Sequence, residues 1–290
     1  MPQNLPGDIP EIVARALAED VGDGDRSATL VPADVRAKAT VVAREAGTLA
    51  GTPWFESVFA QLDENVCHDW RAADGDTLQP DTVVCELEGP ARALLTGERT
   101  ALNFLQMLSG VATATRRYVE RVEGTGTAIL DTRKTLPGLR SAQKYAVRCG
   151  GGVNHRFGLF DAVLIKENHI AAAGSIAEAV AASRRLHGKL FVQVEVETPD
   201  ELEQALAADA DAVLLDNFSV QDLKEAVAAC RRHRRPDGAK TIVEASGDVD
   251  LDNVREIAET GVDRVSIGAL TKHVTAIDLS MRLMTDIVRK

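Results

Sequence analysis

Apolar and polar positions follow two different rhythms along this 290-residue chain. In the first third they are mixed. The segment "IPEIVARALAED" repeats apolar residues at three- and four-residue intervals behind Asp8, a good N-cap residue type, whereas "VRAKATVVAR" and "TVVCELE" read as strands. The stretches "VGDGD", "AADGDTLQPD" and "EGP" separate these pieces as turns. This pattern predicts an α+β unit, and the long helical pattern "GERTALNFLQMLSGVATATRRYVERV" leads away from it. After Gly126 the rhythm becomes regular: six short β-branched runs, "TAIL", "AVLI", "FVQV", "AVLL", "TIVEA" and "RVSI", alternate with amphipathic helical patterns such as "PDELEQALAA". That alternation predicts successive βα units around a parallel sheet.

Polar residues stand where each of these runs ends. Asp131, Arg133 and Lys134 follow the first, Lys166 the second, Glu195 the third and Asp216 the fourth; Ser246 and Gly247 follow the fifth, and Gly268 the sixth. In barrels of parallel strands the carboxyl ends converge on one mouth, so these distant residues are expected to share a pocket. Its early strands bring cations, its middle strands carboxylates, and its last loops Ser and Gly at helix starts. Such a set suits a polyanion held together with a divalent metal.

Composition narrows the class. The chain is 45% hydrophobic but only 4% aromatic, which fits helices packed on buried parallel strands. A formal net charge of -11 predicts a surface that repels nucleic acid and anionic membranes. The start "MPQNLPGDIP" lacks a basic and apolar leader pattern, and no apolar run approaches the roughly 18 residues of a membrane span. A cytoplasmic enzyme is expected. Cys67, Cys85, Cys149 and Cys230 form no CxxC pair and are expected to be reduced, mostly buried thiols.

Against that acidic background, residues 131 to 168 carry seven Lys or Arg and three acids, a local excess of four positive charges. A ligand bearing several carboxylates or phosphates accounts for it. Arg140, Lys144 and Arg148 repeat at helical spacing and are expected to form a solvated or ion-paired stripe. Arg133, Lys134, Arg156 and Lys166 lie on strand ends or loops and are the better candidates. Gly150, Gly151 and Gly152 are expected to release a loop that delivers Asn154, His155 and Arg156 to a fixed place. Beside Arg156, His155 is expected to act as a neutral donor or as an anion ligand. Lys166 leaves two readings open, a Schiff-base nucleophile or a cation for phosphate or carboxylate. Glu195 and Asp216 are candidates for Mg²⁺, directly or through water, and for sugar hydroxyls; Asp216 could otherwise cap the next helix.

The stretches "DTRKTLPGLRSAQKYAVRCGGGVNHRFGLFDAVLIKENHI", "VEVET", "LLDNF", "EASGDV" and "GVDRVSIGALTKH" together resemble the quinolinate phosphoribosyltransferase family, and "EDVGDGDRSAT" and "GERTALNFLQMLSGVATATRRYV" extend the match through most of the chain. The resemblance implies an N-terminal α+β sandwich (residues 1–110) and an incomplete α/β barrel of about six or seven strands (111–274). A C-terminal segment (275–290) would pack back on the first domain. It implies phosphoribosyl transfer from phosphoribosyl pyrophosphate to quinolinate with loss of CO₂, Mg²⁺ as the metal, and a homodimer or higher oligomer in which Arg99 enters the partner's site. Lys134, Lys166, Glu195 and Asp216 would then be catalytic. The substrates would be bound by Arg99, Thr132, Arg133, Lys134, His155, Arg156, Lys166, Glu195, Asp216, Ser246, Gly247, Ser266 and Gly268. The competing readings are a phosphoribosyltransferase for another acceptor, a Schiff-base lyase using Lys166, and a catalytically silent binding protein.

Overall fold

The computed structural model describes residues 5–284. The chain opens with α1 (Ile9–Val21), β1 (Arg36–Ala43), β2 (Gly47–Thr48), α2 (Thr52–Leu62), β3 (Cys67–Trp70), β4 (Thr77–Leu78) and β5 (Val83–Pro90). Helix α3 (Ala91–Arg121) leads to β6 (Ala128–Leu130), α4 (Arg140–Cys149), β7 (Val163–Ile165), α5 (Glu167–Ala173) and α6 (Ile176–His187). Then come β8 (Val192–Val196), α7 (Pro199–Ala207), β9 (Ala212–Asp216), α8 (Val220–Arg232), β10 (Ile242–Ser246) and α9 (Val254–Glu259). The described chain ends with β11 (Arg264–Ser266), α10 (Ala269–Lys272) and β12 (Leu279–Met284).

Two compact units result. One comprises the chain up to Arg116, Thr135–Gly151 and the part from Ala269 onward; the other comprises Arg117–Lys134 and Gly152–Gly268. The first contains an antiparallel sheet in the order β12-β1-β5-β3. On β1 the alternation predicted from sequence is visible: Ala37, Ala39, Val41 and Ala43 are buried. Strand β12 pairs with β1 from Lys38 opposite Met284 to Ala43 opposite Leu279, so the C-terminal segment completes this sheet as far as Met284. Residues 285–290 of that expected segment lie outside the described residues.

Asp8 does stand at the N-cap of α1, but its carboxylate makes no cap bond and instead accepts from the Ser141 hydroxyl at 2.7 Å. Helix α4 therefore joins the first unit. Tyr145 donates its hydroxyl to buried Asp74 at 2.7 Å, and Gln143 donates to the Thr271 carbonyl at 2.8 Å. Of the solvated or ion-paired stripe expected of Arg140, Lys144 and Arg148, this packing removes the solvation. Lys144 is only 2% exposed, Arg140 donates to Thr135 at 3.2 Å, and the Arg148 guanidinium lies over the Tyr145 ring. Four-residue spacing places three side chains on one face without saying whether that face meets water.

The second unit holds the six predicted runs as parallel strands, in the order β6-β11-β10-β9-β8-β7. The first strand thus pairs with the last, and each of the others with its neighbour in sequence. That is the order of a barrel left open between β6 and β7, where β6 makes only an isolated bridge to Val153 on its other side. Val213, Leu215, Val243 and Val265 are fully buried, as expected of strands covered on both faces. The surrounding helices are capped by sequence: Ser175, Thr198 and Ser219 each accept from a backbone N–H in the first turn of α6, α7 and α8. Cys85, Cys149 and Cys230 are buried and Cys67 is exposed, all four as free thiols. Burial pushes the Cys85 and Cys149 thiols up to about 12.

Candidate active site

Apart from Arg99, every predicted site residue lies in the open barrel, at or just past a strand's carboxyl end except His155 and Arg156, which stand in the loop between α4 and β7. After β6, Thr132 turns the chain: its hydroxyl accepts the Lys134 N–H at 3.0 Å, leaving the exposed Arg133 and Lys134 beyond the strand. The Lys134 stem lies across the Gly268 backbone after β11, where a Cβ would come within 2.8 Å of Lys134 Cδ. Glycine there lets the first and last strand ends close on each other.

The triplet Asn154-His155-Arg156 is held from beneath by Asp131, which is fully buried. Asn154 Nδ2 donates to Asp131 Oδ2 at 2.5 Å, and the His155 backbone N–H donates to Oδ1 at 2.9 Å. Of the three preceding glycines, Gly151 has φ +88° and Gly150 packs directly under the Ala112 carbonyl, where a Cβ would clash. Asp161 ties down the far side by accepting the Phe157 and Gly158 N–H groups at 2.6 and 2.9 Å. Arg156 donates to the Ala162 carbonyl at 3.3 Å. Its guanidinium pKa is lowered by partial burial and by the charge of Arg133, with Asp161 opposing. Two cations pressed together in a partly desolvated place make a site for a dianion.

Lys166 follows β7 and donates to both oxygens of Glu195 on β8, at 2.7 and 2.9 Å. Glu195 and Asp216 sit on neighbouring strands, with Glu195 opposite Leu214 and therefore two positions before Asp216 in the register. Asp216 does not cap α8, because Ser219 does. Its Oδ2 accepts from Asn217 Nδ2 at 3.2 Å. Asn217 has φ +57°, and its N–H donates to the Ser246 carbonyl at 3.0 Å. A cleft of about 280 Å³ opens here, lined among others by Asn217, Ser219, Ser246 and Gly247. Ser266 is buried at the end of β11. Arg99 lies on α3 in the other unit and is exposed.

Sequence reading missed one cluster. Glu244 on β10 is fully buried; its Oε2 takes hydrogen bonds or charge from Arg264 Nε at 2.7 Å and Gln193 Nε2 at 2.9 Å, and its Oε1 faces His155 Nε2 at 3.4 Å. Burial pushes this carboxyl's pKa up, but His155, Arg264 and Gln193 together outweigh burial and hold it below the usual value. These residues stood inside the apolar runs "TIVEA", "RVSI" and "FVQV". Their signal was positional: Gln193, Glu244 and Arg264 precede Glu195, Ser246 and Ser266 by two residues and so share their face.

An open α/β barrel with paired cations, an ion-paired lysine and carboxylates at its mouth is built as an enzyme for small polyanionic substrates. Residues 25–109 match the family described as "Quinolinate phosphoribosyl transferase, N-terminal domain", and residues 111–282 match "Quinolinate phosphoribosyl transferase, C-terminal domain". The chain belongs to the quinolinate phosphoribosyltransferase family and is an enzyme of that type. It is 43% identical over 264 residues to the "Probable nicotinate-nucleotide pyrophosphorylase [carboxylating]" of Bacillus subtilis, covering 91% of this chain and 89% of that one. It is 42% identical over 281 residues to the "Nicotinate-nucleotide pyrophosphorylase [carboxylating]" of Mycobacterium leprae, covering 94% and 96%. The solved structure of the nicotinate-nucleotide pyrophosphorylase from Francisella tularensis superposes with a TM-score of 0.92 at 48% identity, covering 97% of this chain and 98% of that one.

Gly247 has φ +134° and its Cα faces the Asn217 side chain, so Gly247→Ala both strains the backbone and displaces Asn217. Backbone strain of this kind costs about 1–3 kcal/mol. The expected result is a fall of about tenfold in kcat/KM for the phosphate-bearing substrate, read by steady-state kinetics. An unchanged value would detach this loop from the site.

Proposed function

We propose that the chain transfers the phosphoribosyl group of phosphoribosyl pyrophosphate to the ring nitrogen of quinolinate, with loss of CO₂, yielding nicotinate mononucleotide and pyrophosphate. The observation that carries the reading is the match of both family domains across residues 25–282, together with the cation set at the barrel mouth. Arg133 and Arg156, with Arg99 from the partner of a homodimer, serve the two carboxylates of quinolinate, and His155 backs Arg156 through its Nδ1. Lys134 serves the pyrophosphate, and Ser246, Gly247, Ser266 and Gly268 serve the 5′-phosphate. Thr132 fixes the turn that presents Arg133 and Lys134.

Glu195 and Asp216 fit a Mg²⁺ site of a particular kind. Among the described residues no group of three or more His, Cys, Asp or Glu side chains could hold a metal ion. Mg²⁺ is commonly held by one or two carboxylates, with water and substrate phosphates completing its shell. Two carboxylates, one already balanced by Lys166, match such a shared site. Mg²⁺ would supply charge neutralisation for the departing pyrophosphate.

The reaction asks the protein for position and charge rather than covalent chemistry. As the C1′–O bond to pyrophosphate breaks, the ribose becomes oxocarbenium-like, and the carboxylates of Glu195 and Asp216 face its hydroxyls. The held pyridine ring presents its nitrogen to C1′, and the C–N bond forms. The ring nitrogen is then cationic, the adjacent carboxylate leaves as CO₂, and the electron pair left on carbon is stabilised by that charge until it takes a proton. The lyase reading of Lys166 requires a neutral amine, whereas its ammonium sits against Glu195 at 2.7 Å.

The direct test supplies quinolinate, phosphoribosyl pyrophosphate and Mg²⁺ and follows nicotinate mononucleotide by mass spectrometry along with released CO₂. No product would refute the proposal, and turnover with another acceptor only would reassign the substrate. Borohydride treatment with carbonyl compounds is expected to leave Lys166 unlabelled.

A further inference from the structure

We propose that Glu244 is a positioning residue of the active site, fixing the tautomer of His155 and through it the place of Arg156. The inference rests on the reading of Arg156 as a quinolinate cation. An anionic carboxylate in a barrel core costs desolvation that an apolar side chain would not, and a buried ion pair seldom repays it in stability. What this cluster returns is geometry. Gln193 donates to Oε2 and the Arg264 guanidinium is ion-paired with that same oxygen, which leaves Oε1 facing His155 Nε2. On the other side of the ring, Nδ1 accepts the Arg156 backbone N–H at 2.7 Å. A nitrogen that accepts carries no proton, so the neutral imidazole has its proton on Nε2, facing the carboxylate. Asp131 holds the backbone of the same residue through the His155 N–H at 2.9 Å. The backbone is thus bonded to one buried acid and the ring faces another, and Arg156, bonded to Nδ1, follows in a set direction beside Arg133. Arg264 is itself seated over the Phe191 ring at 5.5 Å.

Glu244→Gln makes the idea sharp, because the amide is isosteric but has only one acceptor. The Arg264 charge and the Gln193 donor both favour its oxygen at the Oε2 position. The amide NH₂ then meets His155 Nε2, donor against donor. Relief comes if His155 moves its proton to Nδ1, and Nδ1 then loses the Arg156 N–H.

The test uses the full-length protein labelled with ¹⁵N-histidine, with the His155 signal identified by its absence in His155→Gln. Long-range ¹H–¹⁵N spectra are expected to show the Nε2–H tautomer in the wild type and its loss in E244Q. The same variant should raise KM for quinolinate by about tenfold, with kcat within about threefold and KM for phosphoribosyl pyrophosphate within about twofold. A purely structural role would move all three kinetic constants and need not touch the tautomer. The proposal fails if wild-type His155 is protonated on Nδ1, if E244Q keeps the Nε2–H form, or if KM for quinolinate is unchanged. Should E244Q not fold, Glu244→Asp keeps the charge for Arg264 and withdraws the carboxylate by one methylene; it should weaken the tautomer preference and raise the same KM. Arg156→Ala separates the premises: if it leaves KM for quinolinate unaltered while E244Q still flips the tautomer, the role of Arg156 is wrong and the coupling right.

Discussion

Arg156→Ala is expected to weaken quinolinate binding by about 3 kcal/mol, roughly a hundredfold, the upper value for a hydrogen bond to a charged group. The expectation follows from the state of the guanidinium in the free protein. Partial burial and the neighbouring Arg133 both oppose its charge, and only Asp161 favours it. A carboxylate arriving between the two arginines relieves that repulsion, so the ligand gains more than a lone exposed arginine would provide. With alanine, Arg133 loses its cationic neighbour and one carboxylate of the ligand loses its counter-charge. Calorimetric titration of quinolinate reads the loss, and wild-type affinity would remove Arg156 from the site. The same variant tests the shared site of the proposed homodimer. Arg156→Ala and Arg99→Ala subunits each lack one cation, yet a mixed dimer has one site with both and one with neither. Random re-association of two inactive dimers in equal amounts should recover about a quarter of wild-type activity, and no recovery would exclude the cross-subunit role of Arg99.

Much of this arrangement was legible in the sequence because strands carry their information in short, regular form. Six β-branched runs became the six parallel strands, and the polar residue ending each run stands at the mouth, since buried strands end where the chain can first tolerate polarity. The solvated reading of Lys144 fails because helical periodicity defines faces but not their neighbours. Its face on α4 is covered in the first unit, where Asp8, Asp74 and Thr271 also bind residues of that helix. The three glycines were read as one device, although Gly151 is needed for its positive φ and Gly150 for close packing. The cluster around Glu244 was hidden because its members lie in runs counted as apolar core. A charged residue in the middle of a buried strand contradicts that count and marks an interior partner.

Arg264→Met is expected to destabilise the protein by about 3–5 kcal/mol at neutral pH, because it leaves Glu244 charged and without its guanidinium in the barrel core. The pH dependence identifies the cause. In the wild type the Glu244 carboxyl titrates below its usual value, so its contribution is present above the unfolded pKa and is lost as pH falls through the lower folded one. Without Arg264 one of the groups that hold the carboxyl down is gone and its folded pKa rises, so the variant keeps less of the stability that the wild-type carboxylate contributes above the unfolded pKa. Urea unfolding should therefore show the largest gap between variant and wild type near neutral pH and a smaller gap below about pH 4. A gap independent of pH would mean that lost packing against Phe191, rather than the stranded charge, is responsible. Replacing both partners, Arg264→Met with Glu244→Leu, removes the charge altogether and should return most of the stability. It should not return quinolinate affinity, because no carboxylate then faces His155 Nε2. Recovered stability with unrecovered KM would place the value of the buried pair in the geometry of the site rather than in the strength of the barrel.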